Sequence, residues 1–189
     1  MKQLLAACVA CLLAMNVSAL PSYYSGEILG SGVYEDTLTN NNAWINPPVF
    51  GLNSNGKDVS LWGYNGTAGD ALSLDVSSLG DFIGGISIYY GEVSSQDLLL
   101  GLFNNSGDFG LVDYIAGTST FMADSSLSDI RLDVSGFYTI IVGGKSAFGW
   151  EDNYAYSMNV TAVPAPGALL LLLTGLLSMV VLRRKLPLR

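Results

Sequence analysis

Hydrophobic and polar residues alternate along much of this chain. Leu72, Leu74 and Val76 alternate with Ser73 and Asp75, and Ile86, Ile88 and Tyr90 with Ser87 and Tyr89. Ile130, Leu132 and Val134 alternate with Arg131 and Asp133. Tyr154, Tyr156, Met158 and Val160 do so with Ala155, Ser157 and Asn159, and Val59-Ser60-Leu61 follows the same rule. Successive side chains of a strand point to opposite faces, so period two predicts strands with one buried and one wet face. Two runs, Leu98 to Phe103 and Phe137 to Val142, are apolar on both faces and predict central strands. No stretch of useful length between Tyr23 and Thr161 carries a helical period.

Turn residues punctuate these runs. Asn55-Gly56, Asn65-Gly66, Ser106-Gly107 and Gly143-Gly144 tolerate positive φ. Short strands with such turns predict an all-β, antiparallel, jelly-roll-like sandwich. Asn40 to Pro48, NNNAWINPP, predicts an irregular loop over one sheet edge.

The two ends break the pattern. At the front, Lys2 precedes an apolar core from Leu4 to Met15, and Val17-Ser18-Ala19 supplies small side chains. This is the layout of a Sec-type signal peptide, with cleavage between Ala19 and Leu20. Leu5-Ala6-Ala7-Cys8 has the look of a lipobox but opens too soon to leave an apolar core ahead of it. At the back, Gly167 to Leu182 holds no charge and is mostly Leu, Val and Met. As a helix it would span about 24 Å, against a hydrocarbon core of about 30 Å. Arg183, Arg184 and Lys185 follow, and the positive-inside rule holds them in the cytoplasm. The chain divides into a signal peptide (1–19), a β-sandwich ectodomain (20–162) and a sorting or anchoring tail with a membrane helix and basic end (163–189).

Charge changes the picture further. All 16 carboxylates lie between Glu27 and Asp152, opposed there only by Lys57, Arg131 and Lys145. Such an acidic middle repels nucleic acid and anionic lipid. Both cysteines, Cys8 and Cys11, fall within the signal peptide. The mature chain therefore has no disulfide, thiolate metal site or cysteine nucleophile.

Val163-Pro164-Ala165-Pro166-Gly167, the apolar run and Arg183-Arg184-Lys185 together resemble the PEP-CTERM sorting signal. Ala165 stands where the family usually carries Glu, and four residues follow the basic cluster. The resemblance implies recognition by an exosortase that cuts near the prolines and releases or transfers the domain. A plain C-terminal membrane anchor is the alternative. In both, the prolines separate domain from helix, because they lack an N–H and disfavour helix in the preceding residue.

A second resemblance covers the domain. Gly69-Asp70-Ala71-Leu72-Ser73-Leu74-Asp75, the segment DLLLGLFNNSGDFG, and Ser135-Gly136-Phe137-Tyr138-Thr139-Ile140-Ile141-Val142-Gly143 look like the bacterial pre-peptidase C-terminal domain. That family implies a jelly-roll-like, non-catalytic exported module that sometimes binds polysaccharide or assists secretion.

Catalytic chemistry has little to work with. The chain has no histidine, so neither a Ser-His-Asp triad nor a histidine zinc site can be built. Gly144-Lys145-Ser146 lacks the earlier glycine of a phosphate loop, with Thr139 in its place, and reads as a hairpin turn. Gly30-Ser31-Gly32 reads as a flexible loop. Glu151-Asp152 beside Trp150 suggests a sugar site, but adjacent strand residues face opposite ways. No enzymatic activity and no cofactor are expected. Asn104, Asn105 and Asp108, and the pair Asp124 and Asp129, offer oxygens of the kind calcium takes, without EF-hand spacing; solvated turns are their ordinary use. Trp44, Trp62, Tyr64 and Trp150 could form a platform for exopolysaccharide, against the commoner role of packing. The expected product is an exported envelope or matrix protein, anchored in the inner membrane before processing and at the cell surface or outside afterwards. Its expected partners are the Sec translocon, signal peptidase, exosortase, the membrane through its tail helix and, in the alternative, exopolysaccharide, with no nucleic acid.

Overall fold

The structure is a computed structural model, and it describes residues 20–38, 59–79, 84–94, 107–118, 125–144, 154–165 and 167. Nine strands run in chain order: β1 (Gly26–Ile28), β2 (Gly32–Leu38), β3 (Val59–Gly66), β4 (Ala71–Ser78), β5 (Gly84–Tyr90), β6 (Asp113–Gly117), β7 (Ser126–Arg131), β8 (Gly136–Gly144) and β9 (Tyr154–Val163). They form a five-stranded sheet, β1-β3-β8-β5-β6, and a four-stranded sheet, β2-β9-β4-β7. No helix occurs among the described residues, so none there could cross a membrane. The ends 1–19 and 168–189, the run Leu98 to Phe103 and the loop Asn40 to Pro48 lie outside the described residues.

The four-stranded sheet follows the alternation in the sequence. On β4, Leu72, Leu74 and Val76 are buried while Asp75 and Ser77 are exposed. On β9, Tyr154, Tyr156, Met158 and Val160 are buried while Asn159 and Thr161 are exposed. Their buried faces meet Trp62 and Tyr64 of β3, Tyr138, Ile140 and Val142 of β8, and Ile86 and Ile88 of β5 in one core between the sheets. Burial of this apolar surface, at about 25 cal/mol per Å², is what holds the two sheets face to face.

The five-stranded sheet is covered on its other face as well. Val59, Leu61, Tyr89 and Ile141 point away from the sandwich core. There they pack with Tyr24, Val93, Phe109 and Val112, with Leu20, Tyr23, Tyr114 and Phe137 at the margin. Ser87 and Tyr89 are fully buried, so the expected wet face of β5 is dry. Val59 and Leu61 likewise face the outer cluster, and Ser60 turns inward to donate to Asp36 Oδ2 at 2.6 Å. Three other expectations are corrected. β1 pairs with β3 in parallel, because the chain passes through β2 in the opposite sheet between them and no hairpin joins the pair. Asn65-Gly66 and Gly143-Gly144 are strand residues, paired with Phe137-Gly136 and with Gly85-Gly84. β3 and β4 lie in different sheets, as do β8 and β9, so the chain crosses the sandwich where hairpins were expected. The turn after β3 comes at Thr67 to Gly69 instead.

Candidate functional site

The chain leaves the sandwich at the end of β9, where the tail begins. Val163 is the last residue of that strand and sits opposite Ala71 in the ladder with β4. Pro164 follows and has no N–H to continue the ladder. The next donor, Ala165 N–H, is taken by a side chain: it donates to Asp70 Oδ1 at 2.9 Å. Asp70 Oδ2 accepts from Thr67 N at 2.9 Å. The backbone of Asp70 is held too, donating to Thr67 O at 3.0 Å and accepting from Leu132 N at 2.9 Å. Asp70 is only 8% exposed, and a carboxylate so far from water requires donors of this number. Tyr64 hydrogen-bonds to it as well, and the Tyr64 phenol is held above its ordinary value by burial first, then by the charge of Asp70 and that bond.

Two further contacts fasten the exit. Ser31 Oγ donates to Ala162 O at 3.2 Å and accepts from Ala162 N at 2.9 Å, tying β9 on the side away from β4. Gly69 sits at φ +92°, and a Cβ there would stand 3.1 Å from the Ala165 Cβ. Glycine suits both the backbone angle and the close approach. Beyond the clasp the surroundings open: a Cβ on Gly167 would meet nothing within 4 Å. The same end of the molecule gathers two motifs that are far apart in sequence. Gly69 N donates to Leu132 O at 2.7 Å, and Ala68 N donates to Ser135 Oγ at 2.8 Å, so Gly69-Asp70 and Ser135-Gly136 are neighbours.

The front of the domain is fastened to the outer face of the five-stranded sheet. Leu20 Cδ1 lies 2.7 Å from where a Cβ on Gly63 would stand, so the missing side chain makes its seat. Ser25 N donates to Leu61 O at 2.7 Å, and Tyr23 OH donates to Val93 O at 2.9 Å. The hydroxyl of Tyr24 accepts from Val93 N at 3.0 Å and lies 2.7 Å from Thr139 Oγ1. Thr139 Oγ1 in turn donates to Gly91 O at 2.7 Å. Burial pushes the Tyr24 phenol up to about 12, against smaller opposing effects of the bonds to Thr139 and Val93.

Of the residues the sequence singled out, Leu20, Val163, Pro164, Ala165 and Gly167 are described. Ala19, Pro166, Arg183, Arg184 and Lys185 lie outside the described residues. The aromatic platform does not form as a surface from its described half. Trp62 is 6% exposed and Tyr64 is 7% exposed, and Trp62 Nε1 donates to Tyr156 OH at 2.8 Å inside the core. Trp44 and Trp150 lie outside the described residues, as do Glu151, Asp152, Asn104, Asn105 and Asp124. Asp108 accepts from Tyr114 N at 2.7 Å, and Asp129 lies within β7 at φ 53°, where the pairing with β4 shifts register, donating its N–H to Ser73 Oγ at 3.0 Å. Among the described residues, no group of three or more His, Cys, Asp or Glu is placed to hold a metal ion. Asp70 was visible in the sequence only as part of the G-D opening of β4; its contact with Ala165, 95 residues away, had no local signal.

A scan against known protein families and a search of curated proteins both find no match. Among solved structures, the chain is similar to PliG of Aeromonas hydrophila, a periplasmic inhibitor of g-type lysozyme. That likeness has 12% identity and a TM-score of 0.41, over 70% of this chain and 86% of the other. It is also similar to CorA, a surface-associated copper-binding protein important in copper acquisition by Methylomicrobium album BG8. There the identity is 10% and the TM-score 0.48, over 75% of this chain and 99% of the other.

Proposed function

We propose that this chain is an exported, non-catalytic protein of the envelope or extracellular matrix, delivered by its two ends. The front end is a Sec signal peptide cut between Ala19 and Leu20 by signal peptidase. The back end is a PEP-CTERM-type signal, held in the inner membrane by the run Gly167 to Leu182 and processed by an exosortase. The released cargo is a jelly-roll-like sandwich of the kind found in the pre-peptidase C-terminal domain, and it acts at the cell surface or beyond it. The observation that carries the reading is the position of the proline motif: β9 stops at Val163, and Pro164 is the first residue past it. A processing signal placed there can be cut without opening the core. The absence of histidine from the whole chain supports a non-catalytic role. So does the burial of Ser60, Ser87 and Thr139 within the sheets and of Thr118 just past β6. Trp62 and Tyr64 belong to the core, which leaves the polysaccharide-binding alternative without its described aromatic contacts.

Intact-mass analysis of the protein recovered from its native host tests this directly. The expected mature chain begins at Leu20 and ends near Pro164 to Gly167. A chain that keeps every residue to Arg189 would make the tail a plain anchor and end the sorting proposal.

A further inference from the structure

The tail does not simply leave the sandwich at Pro164; it is tied down for one more residue. The Ala165 amide is bound by a carboxylate that also receives the Thr67 amide and Tyr64. On the domain side, the Asp70 backbone is bonded to Thr67 and Leu132, so the carboxylate is mounted on a fixed turn. On the tail side, Val163 is in the ladder with Ala71 and Ala162 is bound by Ser31. Two residues later, a Cβ built on Gly167 would meet nothing within 4 Å. A peptidase must draw several residues of substrate into an extended, accessible form, and a backbone already hydrogen-bonded into a folded domain is not available for that.

From this we infer that Asp70 is a positioning residue for processing: its carboxylate latches Val163-Pro164-Ala165 onto the folded sandwich, shielding these bonds and directing the cut to bonds after Ala165. The inference rests on the tail being a processed sorting signal. It adds a dependence on folding, because Leu132 meets Asp70 only when β7 pairs with β4, and Ala165 meets it only when β9 does. An unfolded domain offers its whole proline motif; a folded one offers only the part beyond the latch.

Two measurements on the full chain separate the latch from the sorting reading. Residue-resolved hydrogen exchange in a membrane mimetic compares wild type with Asp70→Ala, with the Val160 amide as the control for an intact sandwich. The Ala165 amide is expected to exchange at least about tenfold faster in the variant while Val160 stays protected. Within the wild type alone, Ala165 is expected to exchange at least about tenfold more slowly than Gly167, which decides the matter if the variant does not fold. Equal rates at Ala165 and Gly167 would overturn the latch. The second measurement is the mature C-terminus in the native host. Wild type should end at or after Ala165, and Asp70→Ala should add ends at Val163 or Pro164. A wild-type end at Val163 or Pro164 would overturn the shielding. Retention through Arg189 would remove the sorting reading and the processing half of the inference, leaving the exchange rates to decide the latch.

Discussion

Replacing Thr139 by valine tests the covered outer face of the five-stranded sheet. Thr139 is fully buried on β8, and its hydroxyl links the N-terminal arm to the segment after β5. Val93 N–H donates to the Tyr24 oxygen, Tyr24 O–H donates to Thr139, and Thr139 O–H donates to Gly91 O. Each of the two hydroxyls donates one bond and accepts one, so the chain of bonds is complete. Valine has the shape of threonine without the hydroxyl, so the change removes two bonds and little packing. A net hydrogen bond contributes about 1 kcal/mol, and a buried group left unpaired costs about 1–3 kcal/mol. The Tyr24 O–H loses its acceptor and Gly91 O loses the Thr139 donor, while the added methyl returns about 0.8 kcal/mol. The expected loss is about 2–3 kcal/mol. With a urea slope of about 1–3 kcal/mol per M, the midpoint should fall by roughly 1 M. Tyr24→Phe removes the same link from the other side, so the double variant should lose less than the sum, with a coupling of about 1 kcal/mol. Equilibrium urea unfolding of the four proteins, followed by circular dichroism, measures both quantities. A Thr139→Val midpoint equal to wild type, or strict additivity with Tyr24→Phe, would refute the bonded arm and with it the second core.

Three more outcomes follow from the geometry. Trp62→Ala should destabilise the fold by about 3–5 kcal/mol, since it opens a cavity and strips Tyr156 of a bond; a folded variant of near-normal stability that has lost only polysaccharide binding would return Trp62 to the surface. Gly69→Ala should cost about 1–2 kcal/mol, because an L residue is strained at φ +92° and the new methyl would meet Ala165; thermal unfolding at neutral pH reads it. Tyr24, Tyr89 and Tyr156 are all pushed above the ordinary value of 10 by burial, Tyr24 to about 12. A phenol raised in the folded state stabilises the fold fully below pH 10 and loses that contribution as pH rises through its folded value. Tyrosinate absorbance should therefore rise in a cooperative step with unfolding between pH 10 and 12, and titration of every tyrosine near 10 with the fold intact would contradict the burial.

The two central strands of the four-stranded sheet, β4 and β9, are legible because one face of that sheet meets water. Leu72-Ser73-Leu74-Asp75-Val76 states which side is which, and the structure agrees residue by residue. The five-stranded sheet was not, because what covers its outer face comes from elsewhere in the chain. Ser87 and Tyr89 look like wet positions until Phe109 and Tyr114 stack against Tyr89, at ring separations of 4.9 and 5.6 Å. No local window contains that information. β2 is hidden for a related reason: Asp36 interrupts its pattern, and there the aspartate accepts from Ser60 Oγ at 2.6 Å and from Thr37 N at 2.8 Å. The alternation from Ile130 to Val134 overlaps β7 only at Ile130 and Arg131: the strand starts at Ser126, stops at Arg131, and leaves Val134 50% exposed. The exit site was half legible. The proline motif declares itself by composition, whereas Asp70 depends on a turn and a strand end that only the assembled sheets bring together.

The placement of the fastenings also bears on how the domain keeps its two ends in place. Chain ends fray unless something ties them down, and a sandwich with no cysteine beyond residue 11 has no disulfide to do it. Here hydrogen bonds and packing take that role at both ends of the described domain. The front arm spends Leu20, Tyr23, Tyr24 and Ser25 on the outer face of the five-stranded sheet, and so converts its central strands into strands buried on both sides. The back arm is held by Ser31, Ala71 and Asp70 at the rim of the four-stranded sheet, whose outer face stays wet. The difference has a physical consequence. Peeling the front arm exposes apolar surface and buried hydroxyls, and so costs much of a core; peeling the back arm breaks a few rim bonds and exposes almost nothing apolar. Of the two ends, the back one is therefore the end that can be peeled while the sandwich stays folded.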